Sequence, residues 1–361
     1  MKIGLILAGN IWYSPYLTIY TKILDNLNNV EYDIISWNRD GSDKKSEYQY
    51  NRIPQKGLIN KFMSYHSYAR YVKSVLKKNK YDRLIVFGSH ISIMLSSFLI
   101  KKYSKRYILD YRDLSIEQNF FLKPIFERIL KHSCLNIISS LGYKKVLPQG
   151  YDYIISHNFD VEKVRKTITE DIMPQNEYKK INVLTIGGLR NFDTNLEVVK
   201  ALANKNDFLI SFVGKGESGD LIREYATRMK YENVSFVGYY PKEKETDYVS
   251  ESTFMNIYFP NVISHSTIMS NRLYLALIHK KPMIVTANST QADYINEYDL
   301  GLAIENCESL DFKIKNYLEN LDYKDFSVRC NNLLKDFLKD YDLFESCIID
   351  FCSNNYGKKS K

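Results

Sequence analysis

In the stretch ISFVGKGESGDLIREYA, residues 210 to 226, Gly214, Gly216 and Gly219 stand in a G-x-G-x-x-G spacing between an apolar run and a helical one. A strand turning tightly into a helix leaves backbone N–H groups free at the turn, and what they offer chemically is a hold on phosphate. Glycine suits any such turn, so the surroundings must say which phosphate. A dinucleotide site asks for an acidic residue at the end of the next strand, to bind ribose hydroxyls. That strand, NVSFVG, ends in Gly238, Tyr239 and Tyr240. The glycine turn also follows the second strand of its half instead of the first. Both features argue against a nicotinamide or flavin, and no cofactor is expected.

Other chemistries find less support. The D-x-D that would hold a divalent ion on phosphates belongs directly after a strand, whereas Asp340-Tyr341-Asp342 lies deep in a helical stretch. Walker, HExxH and local Ser-His-Asp patterns are absent. The five cysteines, Cys134, Cys307, Cys330, Cys347 and Cys352, have no metal-ligand spacing and suit free thiols in a reducing compartment. No metal site is expected.

The elements that must position this turn fall into two series. With 361 residues, 45% of them hydrophobic, the chain can bury two cores. Apolar β-rich runs at 2–8, 32–37, 81–88, 106–111, 135–140 and 152–158 alternate with helical patterns, the first opened by Ser14 as cap and Pro15. A second series begins at 181–188 and continues at 208–214, 233–238, 254–260, 281–287 and 301–304, and helical patterns follow from about 309. Continuous apolar strands between helices imply parallel sheets covered on both faces. The expected fold is α/β: two Rossmann-like doubly wound domains, 1–165 and 181–308, facing across a cleft. The polar stretch 161–180 reads as a linker and 309–361 as a helical segment packing back towards the first domain.

The blocks VLTIGGLRNFDTN, FVGKGE, NVSFVGYYPKEK, SNRLYLALIHKKPMIVTA and ADYINEYDLGLAI resemble, in order and spacing, the nucleotide-sugar half of GT-B glycosyltransferases. They are most similar to the retaining group running from glycogen and sucrose synthases to capsule and lipopolysaccharide enzymes. In the first half ILDYRDL (108–114) and DYIISHNFD (152–160) resemble segments of the same group. The resemblance implies metal-independent transfer of a sugar from a UDP-, GDP- or dTDP-linked donor to a glycan or polyprenyl-linked acceptor. Arg190 and Arg272 match the basic pair that the group aims at the diphosphate, a task suited to guanidinium forks. Gly188, Lys215, Gly214 and Gly216 would line the donor, and Tyr240 would contact the base. In the first half Gly9 and Asn10 approach the donor, Arg112 would stabilise charge near it and Asp113 would orient the acceptor. His90 is a further residue that could face the cleft.

One departure stands out. The group's glutamate pair falls by register on Thr267 and Leu275, which cannot serve as carboxylates. His265, Ser266 and Asn271 become the candidates for the ribose, and an inactive homologue that binds a donor or supports a partner transferase is the alternative reading.

Charge is uneven. Net charge is +8, yet residues 1–160 hold 24 lysines and arginines against 13 acidic residues. Such asymmetry points to an anionic partner for the first half. In 56–80, Leu58, Phe62, Tyr65, Ala69, Val72 and Leu76 form one helical stripe, with Lys61, Arg70, Lys73, Lys77 and Lys78 on other faces. The stripe can enter the core or, with its basic neighbours, meet an anionic membrane surface. No nucleic-acid motif accompanies the charge. IGLILA (3–8) is far too short to span a membrane, so a cytoplasmic protein, peripheral on the inner membrane face, is expected.

Overall fold

The computed structural model describes residues 1–41, 45–55, 57–170 and 179–353. The chain divides into two compact units: Met1–Asn158 with the chain from Lys339 onward, and Phe159–Leu338.

In the first unit β1 (Lys2–Leu7), α1 (Leu17–Asp25), β2 (Glu31–Asn38), β3 (Tyr48–Asn51), α2 (Leu58–Asn79), β4 (Arg83–Phe87) and α3 (Ser89–Tyr103) follow one another. Then come β5 (Tyr107–Tyr111), α4 (Lys123–His132), β6 (Leu135–Ile138) and β7 (Ile154–Ile155). The sheet runs β3-β2-β1-β4-β5-β6-β7, all parallel. The chain winds outward from β1 in one direction, returns, and winds outward from β4 in the other. The β1/β4 junction is therefore a topological switch point, whose carboxyl side is where such sheets take ligands. The apolar runs named from sequence supply six of these strands. β3, sequence YQYN, is the additional one: an edge strand whose tyrosines pack on Trp37 and the helix α2, so it needs no apolar run.

The second unit opens with α5 (Val161–Thr169), inside the stretch read as a linker, with Asp160 capping it through Glu162 and Lys163 N–H. The rest of that linker, 171–178, lies outside the described residues. β8 (Ile181–Ile186), α6 (Phe192–Leu202), β9 (Phe208–Val213), α7 (Glu217–Arg228), β10 (Val234–Val237), α8 (Glu245–Ser250) and β11 (Phe254–Ile257) follow. The unit continues with α9 (Ile263–Ser266), α10 (Asn271–Ile278), β12 (Met283–Thr286), α11 (Thr290–Glu297), β13 (Gly301–Ile304), α12 (Leu310–Glu319) and the first part of α13 (Tyr323–Cys352). Its parallel sheet runs β10-β9-β8-β11-β12-β13, and its switch point lies between β8 and β11.

Each unit has its own core. In the first, α1 and strands β1, β4 and β5 bury Leu5, Tyr20, Phe87 and Ile108 together with Phe344, Ile348 and Phe351 from the end of α13. Contacts of the α13 segment there include three between side chains. Phe344 packs edge-on against Tyr20 at 5.1 Å, Arg83 lies over Phe351 at 4.9 Å, and His157 Nε2 sits 3.0 Å from Asp340 Oδ2. The D-x-D at 340–342 is thus partly spent on a structural contact. In the second unit α6, α12 and the sheet bury Val198, Leu202, Phe208, Phe212 and Ile314. Along α2 the stripe enters the core at Tyr65, Ala69, Val72 and Leu76, but its first turn leaves Ile59, Phe62 and Met63 exposed. Ser14 does not cap α1. The helix starts at Leu17 with Tyr16 as its cap residue, and Ser14 Oγ donates to Asn10 O instead. Among the described residues no helix is long and apolar enough to cross a membrane.

Candidate functional site

At the β8/β11 switch point one side chain closes the gap between the strands. Arg272, at the start of α10, donates from Nε to Ile186 O (2.6 Å), from Nη1 to Asn256 O (3.3 Å) and from Nη2 to Gly188 O (3.1 Å). α10 begins there because Ser270 caps it, accepting from Arg272 N, and Ser270 N in turn donates to Gln291 Oε1 of α11. Phe259 lies 5.7 Å beneath the guanidinium. Among the described residues no carboxylate pairs with Arg272. Burial pulls its pKa down to about 10, so it stays charged at neutral pH with its charge matched only by carbonyl dipoles. A guanidinium has five N–H groups. Three are used here, leaving two for an anion.

Arg190 lies on the loop after β8, and its Nε comes within 3.8 Å of where a Cβ on Gly188 would stand. It is exposed, and among the described residues no hydrogen bond or ion pair holds its side chain. The two arginines therefore both come up to Gly188, one anchored and one exposed. The loop is held from below. Asn195 Nδ2 donates to Arg190 O (2.6 Å), Asn195 Oδ1 accepts from Asn256 Nδ2 (3.2 Å), and Asn256 carries Arg272 on its carbonyl. Asn191, next to Arg190, is left-handed at φ 62°, a conformation asparagine tolerates. Asn195 and Asn256 are buried polar residues that sequence reasoning missed. Their types carry no motif, and only burial reveals that their amides must find partners.

The glycine turn sits beside this loop. With α7 and β10 it lines a cavity of about 320 Å³ whose walls include Gly214, Lys215, Gly216, Arg223, Phe236 and Gly238, at the lower end of the size that small ligands occupy. The reason for the glycines differs from close approach to a ligand. A Cβ at Gly214 (φ +132°) would stand 1.9 Å from Gly187 O, one at Gly216 (φ +156°) 2.1 Å from Leu189 O, and one at Gly219 2.5 Å from Leu189 Cδ1. The three glycines let the β9–α7 turn press against the β8–α6 loop and so set the height of Arg190. Lys215 is exposed, 5.7 Å over the Tyr239 ring.

Other second-unit residues have local partners. Tyr240 donates its hydroxyl to Glu245 Oε1 (3.1 Å), and burial raises its pKa far enough to keep it neutral. His265 leans on the Phe259 ring at 5.7 Å, and burial lowers its pKa. Ser266 Oγ donates to Ile263 O. Asn271 is exposed at the start of α10. Thr267 is buried with Oγ1 on Ile263 O (2.8 Å), and Leu275 is partly buried; neither position presents a carboxylate.

In the first unit two of the expected donor residues, Arg112 and Asn10, are engaged within the fold. Arg112 is held by its neighbours. Its Nε and Nη2 hold Asp110 at 2.5 and 2.7 Å, Nη1 and Nη2 hold Ser156 O and Oγ, and the Tyr16 ring covers it at 4.7 Å. The residue is 9% exposed. Burial opposes its charge, but Asp110 more than compensates and raises its pKa. Asn10 is likewise occupied: it is buried, Nδ2 donates to Asp40 Oδ1 (2.6 Å) and Oδ1 accepts from Arg39 N (2.9 Å). Asp113 is exposed beyond β5, and Gly9 lies two residues past β1 with open space where a Cβ would stand. His90, second residue of α3, stacks on Tyr65 at 4.7 Å and bonds Ser115 Oγ through Nδ1 at 2.7 Å. Among the described residues no group of three or more His, Cys, Asp or Glu could hold a metal ion.

No family model matches the chain, and no curated protein matches it in sequence. Solved structures do match in fold. A sucrose-phosphate synthase from Thermosynechococcus elongatus superposes with a TM-score of 0.69 at 13% identity, covering 96% of this chain and 98% of that one. A lipopolysaccharide outer core galactosyltransferase, WaaB, gives 0.64 at 15% identity, covering 96% and 100%. The UDP-GlcNAc 2-epimerase from Methanocaldococcus jannaschii, solved with UDP-GlcNAc and UDP, gives 0.58 at 14% identity, covering 94% and 100%. The chain thus has the two-unit α/β fold of GT-B type that these proteins share.

Proposed function

We propose that the protein is a glycosyltransferase that takes a nucleotide sugar at the carboxyl edge of its second sheet. The observation that carries this is the meeting of Arg190 and Arg272 around Gly188 at the β8/β11 switch point, two cations without a carboxylate among the described residues. As the bond from sugar to diphosphate breaks, negative charge gathers on the leaving oxygens. Fixed donors in a partly dry site stabilise that charge more than they stabilise the bound donor. Arg272, locked by three carbonyls, supplies the fixed donor, and exposed Arg190 closes on the diphosphate once it is bound. The glycan or lipid-linked acceptor falls to the first unit. Retention of configuration, metal independence and a surface-polysaccharide acceptor rest on the sequence resemblance.

The test is a screen of nucleotides and nucleotide sugars by thermal shift, followed by nucleoside diphosphate release with and without candidate acceptors. A ligand at about 100 times its dissociation constant adds about 2.7 kcal/mol of stability. If no nucleotide stabilises the protein, the reading fails. If a UDP-sugar binds but is only isomerised at its sugar, the chain belongs with the epimerases of this fold.

A second reading has its own observation, the missing carboxylates at Thr267 and Leu275: an inactive homologue that binds a donor or supports a partner transferase. It predicts donor binding without turnover until a second protein is added. Turnover that survives Arg190→Ala in this chain would then favour it over the enzyme.

A further inference from the structure

The first sheet has a switch point of its own, between β1 and β4, and its chemistry is unspent. α3 starts there directly after Gly88 (φ +90°), with no side-chain cap and no acidic residue in its first turn. The N–H groups of a helix start favour an anion, but by themselves they do not make a site. The second observation is Ser89. The first residue of this 15-residue helix is 2% exposed, and its Oγ has no hydrogen-bond partner. A third is Arg39, just past β2. It is half-buried over the Trp37 and Tyr65 rings at 4.9 and 5.6 Å, with no carboxylate pairing it among the described residues. Tyr65 also carries His90 of the same α3 turn stacked on its ring at 4.7 Å, so the arginine and the helix start share one aromatic residue.

We propose that the α3 start with Ser89 and His90, together with Arg39 and Lys61, forms a niche for the phosphate group of the acceptor. Naming its occupant as the acceptor rests on the transferase reading; the binding of phosphate does not. Burial first, then Lys61 and Arg39 against the opposing charge of Glu117, lower the His90 pKa and so favour the neutral ring with its single N–H. Glu117 acts on the His90 charge and Asp40 follows Arg39 in sequence, and both carboxylates are engaged. Glu117 accepts from Tyr111 Oη (2.6 Å) and Ser115 N (2.7 Å), and Asp40 accepts from Asn10 and Tyr13. Arg39, Lys61 and the helix start outweigh them for a phosphate, which would also give the Ser89 hydroxyl its acceptor. The phosphate could be that of a soluble sugar phosphate or of a lipid-linked diphosphate. Exposed Phe120 and Phe121, in the loop after β5 on the same sheet edge, would favour the second.

The experiment titrates the full-length protein with inorganic pyrophosphate while UDP is held at saturation. The expected result is pyrophosphate binding alongside UDP, weakened about tenfold or more by Arg39→Gln or Ser89→Ala. Exposed Lys61→Gln, which puts the fold at no risk, should weaken it less. UDP binding should be untouched by all three. A hexose phosphate and farnesyl diphosphate, titrated in the same way, distinguish the two sources by which binds tighter. If UDP binds and no pyrophosphate binds beside it, or if all three variants bind pyrophosphate as the wild type does, the niche is refuted and the donor site stands. If UDP does not bind but pyrophosphate does, and Arg39→Gln abolishes it, the niche stands and the donor reading falls.

Discussion

Replacing the two arginines one at a time separates a structural role from a chemical one, because the fold treats them differently. Arg190 is exposed and its side chain bonds nothing among the described residues, so Arg190→Ala should change stability by less than about 0.5 kcal/mol. Its loss from a closed diphosphate site should cost about 2 to 4 kcal/mol of transition-state stabilisation, or about 30- to 1000-fold in kcat/KM. Arg272 carries three carbonyls, at 2.6, 3.3 and 3.1 Å, that belong to the ends of β8 and β11 and the loop after β8. Arg272→Ala leaves these acceptors without their donor at a cost of about 1 to 3 kcal/mol of stability, in addition to the same catalytic loss. Arg272→Lys keeps a charge but cannot fork across two strands, so it should recover stability poorly and activity only in part. The assays are urea unfolding and calorimetric UDP binding, then turnover once the donor is known. Arg190→Ala with wild-type UDP affinity and turnover would refute the reasoning, as would Arg272→Ala with unchanged stability.

Four further outcomes follow from the geometry. Gly214→Ala drives a Cβ to 1.9 Å from Gly187 O at a positive φ and should destabilise the protein by at least about 2 kcal/mol, whereas Gly188→Ala meets only an ordinary contact and should melt like the wild type. Arg112→Met strands the buried Asp110 carboxylate and should cost about 3 to 5 kcal/mol in denaturant unfolding; a loss of turnover with unchanged stability would restore Arg112 to the chemistry. His157 and His279 have pKa values lowered by burial, that of His279 to about 4, so the folded protein binds fewer protons than the unfolded chain below pH 6.5. Stability is then complete above pH 6.5 and falls on acidification towards 4, by up to about 3 kcal/mol for His279, and His279→Gln should flatten that part of the pH–melting curve. Turnover should survive a chelator, since the charge on the diphosphate is met by guanidinium groups; activity abolished by chelator and restored by manganese would overturn that mechanism.

Much of the architecture was legible along the chain because the strands of a parallel sheet are buried on both faces and announce themselves as short apolar runs. The twelve runs named from sequence each contain a strand, and β3 escaped because an edge strand can rest its tyrosines on neighbouring rings without such a run. The α5 helix escaped because its amphipathic turns, VEKVRKTIT, carry few apolar residues. That Arg190 would follow the first strand of the second series and Arg272 open a helix was also readable, from the order of the blocks. What those groups are free to do was not. Arg112 and Arg272 each close a strand-to-loop junction, yet Arg112 meets Asp110, two residues back and fully buried, while among the described residues Arg272 hydrogen-bonds carbonyls and no carboxylate. Spacing cannot tell a neutralised guanidinium from an unmatched one, because the partner is chosen by which chain ends the sheet order brings together. The glycines make the same point. Their spacing marked a turn, but the atom that forbids a side chain at Gly214 is the carbonyl of Gly187, 27 residues earlier in sequence. Local sequence determined where strands end and turns begin. The packing of β8 against β9 and β11 decided which of the charges at those ends remain for a ligand.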